Sequence, residues 1–389
     1  MRIIIALIFV LLTIVGLLVN AGRKIFIWLR PLFSGISPLL YGILYGAVIL
    51  IILGLFIISR VPDNSVPRMI IKIGHHALGF LVYIVMWINA ADFLLFLGKL
   101  VRLLPAPLPK QTTFITGAAV LIIAICALVY GTIHSLSVRT RSYEVQLYQA
   151  EGAVETDSLQ IALISDLHLG YIIEEKHVQK VVKAVNAVNP DIVCIAGDIF
   201  DGDITSLKNP EVLQRLLGEI HAPYGVYACL GNHDAGTSYQ QMLEFLSEVN
   251  IQLLFDEAVV IDNRFILAGR RDSSPIGGQG DKRGEFIIPD GAGNLPIIVM
   301  DHQPSNITEY EDNADLILSG HTHRGQMFPF NLITKAIFDV DYGHYQMPDN
   351  GPQVIVTSGA GTWGPPQTIG TDNEIVSIKV VFPRIAIQP

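Results

Sequence analysis

Residues 160–168 read QIALISDLH, a short apolar run that ends in Ser165-Asp166-Leu167-His168. Such a run, bounded by polar residues, is typical of a buried β-strand. Asp166 and His168 are two positions apart, so on a strand end their side chains face the same way. The stretch therefore predicts a strand that presents a carboxylate and an imidazole together.

Four further polar clusters each follow a short apolar run in the same manner. They are Gly197-Asp198, Gly231-Asn232-His233-Asp234, Asp301-His302-Gln303 and Ser319-Gly320-His321-Thr322-His323-Arg324. Taken singly, each has an ordinary interpretation: Asp-x-His as a surface or capping pair, Gly-Asp as a turn, Asn-His-Asp as an Asx turn or helix cap. Five clusters in series favour a different interpretation, in which the strand ends supply enough ligands for two divalent metal ions.

The residue types indicate the class of metal. Carboxylates and imidazoles without a thiolate suit Mn, Fe, Zn or Co rather than a structural zinc knot. Asp198 follows an apolar strand, where an unpaired carboxylate is costly without a cation. Gly197 and Gly231 allow the backbone to approach such a site closely, and His321 and His323 share the i,i+2 spacing that lets each face one metal.

From residue 159 onward the pattern alternates strand, loop and helix. Helical spacing is found in residues 175–188, 211–220 and 238–249, between apolar runs such as 192–196 and 225–230. This alternation predicts an α/β domain whose sheets are covered by helices. In such sheets the loops at the carboxyl ends of strands carry the chemistry.

The charges divide the chain in two. Residues 1–140 contain two acidic residues against eleven Lys and Arg, a balance of +9, whereas residues 141–389 contain 33 against 15, a balance of −18. We therefore expect a transmembrane region at 1–140, a linker at 141–156 and the α/β domain at 157–389. A mean hydropathy of +0.46 agrees with a membrane part.

Four apolar stretches predict transmembrane helices, because a bilayer core needs about 20 apolar residues in helix. They are residues 3–19, 39–58, 70–91 and 113–133. A signal peptide is the alternative for the first, although no small-residue cleavage site follows it. Positive charges are nearly balanced between the two sides, with a slight lean towards an extracytoplasmic catalytic domain.

The five clusters in order, D-x-H, G-D-x-x-D, G-N-H-D, a lone H and G-H-x-H, resemble the calcineurin-like metallophosphoesterases. The resemblance covers roughly residues 157–385. Runs at 320–326 and 361–366 look like a membrane-associated branch of bacterial phosphoesterases. The fold that this implies is a pair of mixed β-sheets flanked by helices.

The resemblance also implies a role for each matching residue. The first metal would be held by Asp166, His168 and His323, and the second by Asn232, His302 and His321. Asp198 would bridge both metals. His233 would contact the phosphate without binding metal and would protonate the leaving group, and Asp201 would support the ligands from outside.

The implied activity is hydrolysis of a phosphomonoester, phosphodiester or pyrophosphate bond by a protein of the bacterial cell membrane. The −18 balance argues against extended nucleic acid as a partner. Membrane lipids and a phosphorylated lipid or small molecule are the expected partners, with a soluble nucleotide as runner-up; no oligomeric state is indicated. Arg271 and Arg324 are candidate phosphate contacts. A sensor or transporter whose metal-binding tail only binds a phosphate ligand is the alternative from another class.

Overall fold

The computed structural model describes residues 2–30, 35–147, 158–288, 295–349 and 351–382. The chain forms two compact units. One comprises Met1–Ile58 and Val66–Thr132, and the other comprises Ser59–Ser65 and Ile133–Pro389. The short segment 59–65 thus groups with the C-terminal part of the chain, although it lies between two helices of the first unit.

The first unit is built from long apolar helices. In the described residues they are α1 (Arg2–Leu29), α2 (Pro38–Ile58), α3 (Arg68–Leu100) and α4 (Lys110–Ser135). All four are long and apolar enough to cross a membrane, which confirms the four expected spans. No residue of α2 is buried within the protein, as expected of a helix whose apolar surface faces lipid.

The helices of this unit pack through small and branched residues. Ala21 of α1 and Ala124 of α4 are fully buried beside Ile88 of α3. Small residues let helix backbones approach closely, which stabilises helix pairs in lipid. Asp92 forms an ion pair with Lys24 and accepts a hydrogen bond from Asn20, so its charge is compensated inside the unit.

The second unit contains twelve strands in its described part. They are β1 (Val138–Gln146), β2 (Ser158–Ile164), β3 (Ile192–Ala196), β4 (Val226–Cys229), β5 (Ile251–Leu253), β6 (Glu257–Ile261), β7 (Phe265–Gly269), β8 (Ile297–Met300), β9 (Leu316–Ser319), β10 (Gly343–Gln346), β11 (Gln353–Val356) and β12 (Asn373–Val381). The helices are α5 (Glu175–Ala187), α6 (Pro210–Leu217), α7 (Tyr239–Ser247) and α8 (Asn331–Ile337).

These strands form two six-stranded sheets. The order is β1-β12-β2-β3-β4-β5 in the first and β10-β11-β9-β8-β7-β6 in the second. Strands β2 to β5 are parallel, as are β7, β8, β9 and β11, while β12 is antiparallel to β2 and both β6 and β10 are antiparallel to their neighbours. The expected pair of mixed sheets flanked by helices is confirmed.

The core lies between the sheets and beneath the helices. Alternate residues of β2 show the division: Ile161 and Leu163 pack in the cluster shared with the second sheet, whereas Ala162 and Ile164 pack against the helix side. This is the period-2 alternation of a strand with both faces covered. The carboxyl ends of the parallel strands are thereby held by buried side chains on both faces.

Strand β1 includes residues 141–146, which we expected to lie in a linker. It pairs in parallel with β12, with Val138 opposite Asn373 and Gln146 opposite Val381. Most of its side chains are exposed and polar, but Val145 and the partly buried Tyr143 pack in the core between the sheets. Backbone hydrogen bonds and this narrow apolar face together hold the edge strand in place. Residues 148–156 of the expected linker lie outside the described residues.

Replacing Leu163 with alanine should destabilise the second unit by about 2–5 kcal/mol, because a fully buried side chain leaves a cavity between the sheets. The matched control is Leu332→Ala on α8, where the leucine is 59% exposed and the loss should stay within about 0.5 kcal/mol. Pulse proteolysis of full-length protein across a urea series measures both. Equal midpoints for the two variants would contradict this account of the core.

Candidate metal and catalytic site

Five strand ends converge at one edge of the second unit. Asp166 follows β2, Asp198 follows β3 and Asn232 follows β4, all in the first sheet, and their backbones are joined there. The Asp166 N–H donates to the carbonyl of Gly197 at 3.0 Å. His302 follows β8 and His321 follows β9 in the second sheet, and the Gly320 N–H donates to the His302 carbonyl at 3.0 Å. The two sheets thus present their carboxyl ends to one shared site.

Three of the predicted ligands form a first group. Nε2 of His168 lies 3.0 Å from Nε2 of His323. Oδ1 of Asp166 lies 3.4 Å from Nε2 of His323 and 3.9 Å from Nε2 of His168. Donors held about 2.1 Å from one ion lie about 3.0–3.4 Å from each other in tetrahedral or octahedral geometry. The spacing of this group fits a single metal ion.

A second group forms around His302. Its Nε2 lies 3.2 Å from Oδ1 of Asn232 and 3.3 Å from Nδ1 of His321. Nδ1 of His321 lies 2.9 Å from the same Asn232 oxygen. An amide oxygen and two imidazole nitrogens therefore face one point, and these distances again match those between ligands of one ion.

Asp198 stands between the two groups. Its Oδ2 lies 3.2 Å from Nε2 of His302 and 3.7 Å from Nε2 of His168. Its Oδ1 accepts a hydrogen bond from the backbone N–H of His233 at 2.8 Å. One carboxylate oxygen thus faces ligands of both groups, while the other is held by the backbone of the next loop.

Neighbouring groups orient these side chains from outside. Nδ1 of His302 lies 2.8 Å from the carbonyl oxygen of Ala196, which accepts its proton and leaves Nε2 to face the site. Nδ1 of His168 faces Oδ1 of Asp201 at 3.6 Å. The carboxylate of Asp234 accepts three backbone hydrogen bonds, from the N–H groups of residues 199, 200 and 231 at 2.8–3.2 Å. The loops after β3 and β4 are thereby tied together.

The backbone at this site is unusual. Five of the seven candidate ligands adopt left-handed conformations with φ between 47° and 72°. They are Asp166, His168, Asp198, His321 and His323. A residue with a side chain held in this region costs on the order of 1 kcal/mol, and such residues cluster at functional sites. The fold therefore accepts local strain to aim these side chains inward.

Burial and mutual charge set the protonation of the site. Burial alone would raise the pKa of Asp166 and of Asp198, but the surrounding imidazoles, His323 for the former and His302 for the latter, lower both. Burial lowers the pKa of His321 and of His323 to about 4. Burial would also lower the pKa of His168 and His302, but the nearby carboxylates outweigh it and raise both. Since metal binds neutral imidazole, binding at this site would release protons from these two rings.

His233 lies beside the groups rather than within them. Its ring stands edge-on to His168, with centroids 5.1 Å apart, and lies 5.9 Å from the ring of Trp363. Burial lowers the pKa of His233 to about 4 although Asp198 and Asp201 oppose the change. This position, next to the ligands and partly open, is suited to contact with a substrate.

Arg60, which belongs to none of the sequence motifs, touches the site through Asp201. Burial would raise the pKa of Asp201, but Arg60 and His168 outweigh it and hold that pKa at about 2. The candidate phosphate contacts lie differently: Arg271 pairs with Asp256 and Asp281, and Arg324 packs over the ring of Tyr342 at 4.3 Å. The position of Arg60, outside every motif, left no signal in the sequence.

Comparison with known proteins agrees with this geometry. A family model described as calcineurin-like phosphoesterase matches residues 159–325. An uncharacterized metallophosphoesterase of Aquifex aeolicus is 30% identical over 266 residues, which are 66% of this chain and 97% of that protein.

The names of two further relatives refer to a membrane location and to a substrate. A transmembrane protein with metallophosphoesterase domain from Danio rerio is 28% identical over 68% of this chain and 62% of its own length. A UDP-2,3-diacylglucosamine pyrophosphatase from Chlamydia trachomatis is 28% identical over 53% of this chain and 78% of its own length.

Gly231→Ala should weaken Mn²⁺ binding by about tenfold or more, because a Cβ there would collide with the backbone N and Oδ1 of Asp198. Gly284→Ala is the matched control, since its Cβ would meet Asp256 only at 3.5 Å, an ordinary contact. Metal analysis after dialysis against graded chelator measures both variants. Wild-type retention of Mn²⁺ by the Gly231 variant would contradict the close fit of Asp198.

Proposed function

Because this chain belongs to the calcineurin-like metallophosphoesterases, and is therefore a metal-dependent phosphoester hydrolase, we propose that it hydrolyses a phosphate ester or pyrophosphate of a lipid-linked substrate at the bacterial cell membrane. The observation that carries the chemistry is the convergence of six candidate metal-ligand side chains in two groups with Asp198 between them. Its four candidate membrane helices and its similarity to a transmembrane relative support the location.

We assign two divalent ions to the site. Asp166, His168 and His323 would hold the first ion, and Asn232, His302 and His321 the second, with Asp198 shared. The donor set of carboxylate, amide and imidazole without thiolate supports Mn, Fe, Zn or Co. Buried Asp166 and Asp198 supply the negative charge that such ions compensate.

When bound, the ions supply Lewis-acid stabilisation of phosphoryl oxygens and make water acidic enough to attack at neutral pH. The protein's own contribution is positional. Asp198, fixed through its Oδ1 by the His233 backbone, sets the spacing of the two ligand groups. The imidazole of His233 donates a hydrogen bond to the substrate phosphate and then a proton to the leaving oxygen. This transfer requires the imidazolium form of His233, which the negative charge of a bound phosphate favours.

An exposed apolar segment supports a lipid-linked substrate. Its side chains Phe328, Phe330, Leu332, Ile333 and Ile337 are 38–67% exposed. The ring of Phe338, next in the chain, lies 5.9 Å from that of the candidate ligand His321. Clustered exposed apolar side chains mark surfaces that bind lipid or partners. The relative named as a UDP-2,3-diacylglucosamine pyrophosphatase also favours a lipid substrate over a soluble nucleotide.

The positive charges of the loops bear on which side of the membrane the catalytic domain occupies. The first and third loops hold Arg23, Lys24, Arg30, Lys99, Arg102 and Lys110, against five arginines on the other side and Lys72 at a span edge. Since positive loops stay in the cytoplasm, this small excess favours a catalytic domain outside it.

The central test uses full-length protein in detergent with bis-p-nitrophenyl phosphate and Mn²⁺. We expect hydrolysis that EDTA abolishes and added metal restores. A parallel series of phosphorylated lipids and nucleotides should then show a higher kcat/KM for lipids. Inactivity with Mn, Fe, Zn and Co alike would contradict a hydrolytic function, and preference for nucleotides would contradict the lipid assignment.

His233→Ala should retain Mn²⁺ and lose about 10²–10⁴-fold in rate, because the variant lacks the proton donor but keeps every ligand. The loss should be larger for alkyl than for p-nitrophenyl esters, since alkoxide leaving groups depend more on protonation. In contrast, Asp198→Asn should lose metal together with about 10³-fold or more in rate. Metal analysis beside turnover of both ester types measures the difference. Equal losses for both esters in the His233 variant would contradict its role as proton donor.

A further inference from the structure

The segment between α2 and α3 packs on the loops that carry the ligands. Asn64 donates from Nδ2 to the hydroxyl of Tyr171 at 2.8 Å, and the N–H of Asp63 donates to Oγ1 of Thr205 at 3.2 Å. Tyr171 lies in the loop that follows His168, and Thr205 lies in the loop that follows Asp198. Residues 59–65 therefore contact two of the three loops of the first sheet that carry metal-ligand positions.

Arg60 makes the closest of these contacts. Its Nη1 donates to the carbonyl oxygen of Asp201 at 2.8 Å and to Oδ1 of the same residue at 2.6 Å. The Asp201 side chain is only 9% exposed and that of Arg60 26%. A charge-assisted hydrogen bond shielded in this way is stronger than a surface ion pair. Arg60 thus restrains both the backbone and the carboxylate of Asp201.

Asp201 in turn faces a metal-ligand position. Its Oδ1, the atom that Arg60 contacts, lies 3.6 Å from Nδ1 of His168, while Nε2 of His168 points to His323. At this distance the contact is electrostatic rather than a hydrogen bond, and it favours the ring orientation and tautomer in which Nδ1–H faces the carboxylate. Arg60, Asp201 and His168 therefore form a continuous chain from the segment between two spans to the first metal group.

The guanidinium also borders the open side of the site. Its central carbon lies 5.9 Å from the ring centroid of Trp363, whose ring lies 5.9 Å from that of His233. Packing on an aromatic face and a forked donor geometry are properties that Lys does not reproduce. The surroundings of residue 60 thus suit Arg in particular.

We infer that Arg60 is a positioning residue of the hydrolytic site, which holds Asp201 so that His168 presents Nε2 to the first metal. The inference rests on the proposed function, and it extends that function by assigning part of the catalytic machinery to a segment between two membrane spans. The segment between the spans then does more than connect them, since it carries a residue that the ligand loops require.

The test compares variants of full-length protein in detergent. Arg60→Gln should raise the Mn²⁺ concentration for half-maximal hydrolysis of bis-p-nitrophenyl phosphate by about tenfold. Mn²⁺ retained after dialysis against graded chelator, measured by elemental analysis, should fall in parallel. Arg60→Met, which keeps the apolar stem on Trp363, should give the same loss, and Arg60→Lys should recover part of it.

A double variant tests whether Arg60 acts through Asp201. If Arg60 acts through that carboxylate, the double variant Arg60→Gln/Asp201→Asn should bind Mn²⁺ no more weakly than Asp201→Asn alone. Arg215→Gln, the same charge change at an exposed position on α6, should match wild type.

Wild-type Mn²⁺ retention in both Arg60→Gln and Arg60→Met would overturn the inference, as would losses that multiply in the double variant. A wild-type protein that retains Mn²⁺ without hydrolysing any ester would instead refute the proposed function. The retention series would still test Arg60 in that case, so the two failures are distinguishable.

Discussion

Two carboxylates buried among imidazoles, Asp166 and Asp198, impose the constraint around which the second unit is arranged. Neither has more than 2% of its surface exposed, and a buried charge is tolerated only beside compensating groups. The two sheets meet this demand by bringing the carboxyl ends of five strands to one place. Left-handed backbone at most ligand positions, and the absence of a Cβ at Gly231, are local costs of that convergence. Strands buried on both faces supply the rigidity that offsets them.

The same arrangement explains why support extends beyond the ligands. His302 is oriented by a strand carbonyl, the loops after β3 and β4 are joined through Asp234, and Asp201 stands behind His168. Each of these contacts is made by a group with no part in binding metal. The site is therefore as much a property of loop-to-loop hydrogen bonds as of the ligand set. Residues 59–65, which are remote in sequence, contact the same loops and hold them from outside the ligand set.

Histidines and acids directly after apolar runs leave a clear local signal, so the sequence indicated which side chains would lie at the strand ends. The two-sheet architecture was implied by the family resemblance that these motifs carry. The sequence did not reveal β1, whose apolar face is limited to a few residues among exposed polar ones and whose place depends on backbone pairing with β12. The role of Arg60 could not be predicted from the sequence either. Arg60 lies 141 residues before its partner Asp201, in a short loop between two spans whose residues match no motif. Contacts that join distant segments through single side chains leave no period and no motif to detect.

The buried cysteines follow from the same packed sheets and give access to their motions. Cys194 of β3 and Cys229 of β4 have no exposed surface, and burial raises the pKa of the Cys194 thiol to about 12 and that of Cys229 well above its ordinary value. Alkylating reagents need an accessible thiolate, so these thiols react only when the neighbouring strands separate. The rate at which these thiols are alkylated, measured by mass spectrometry, therefore reports how often the sheet opens locally. The strand ends of that sheet carry Asp198 and Asn232, and no added probe is needed.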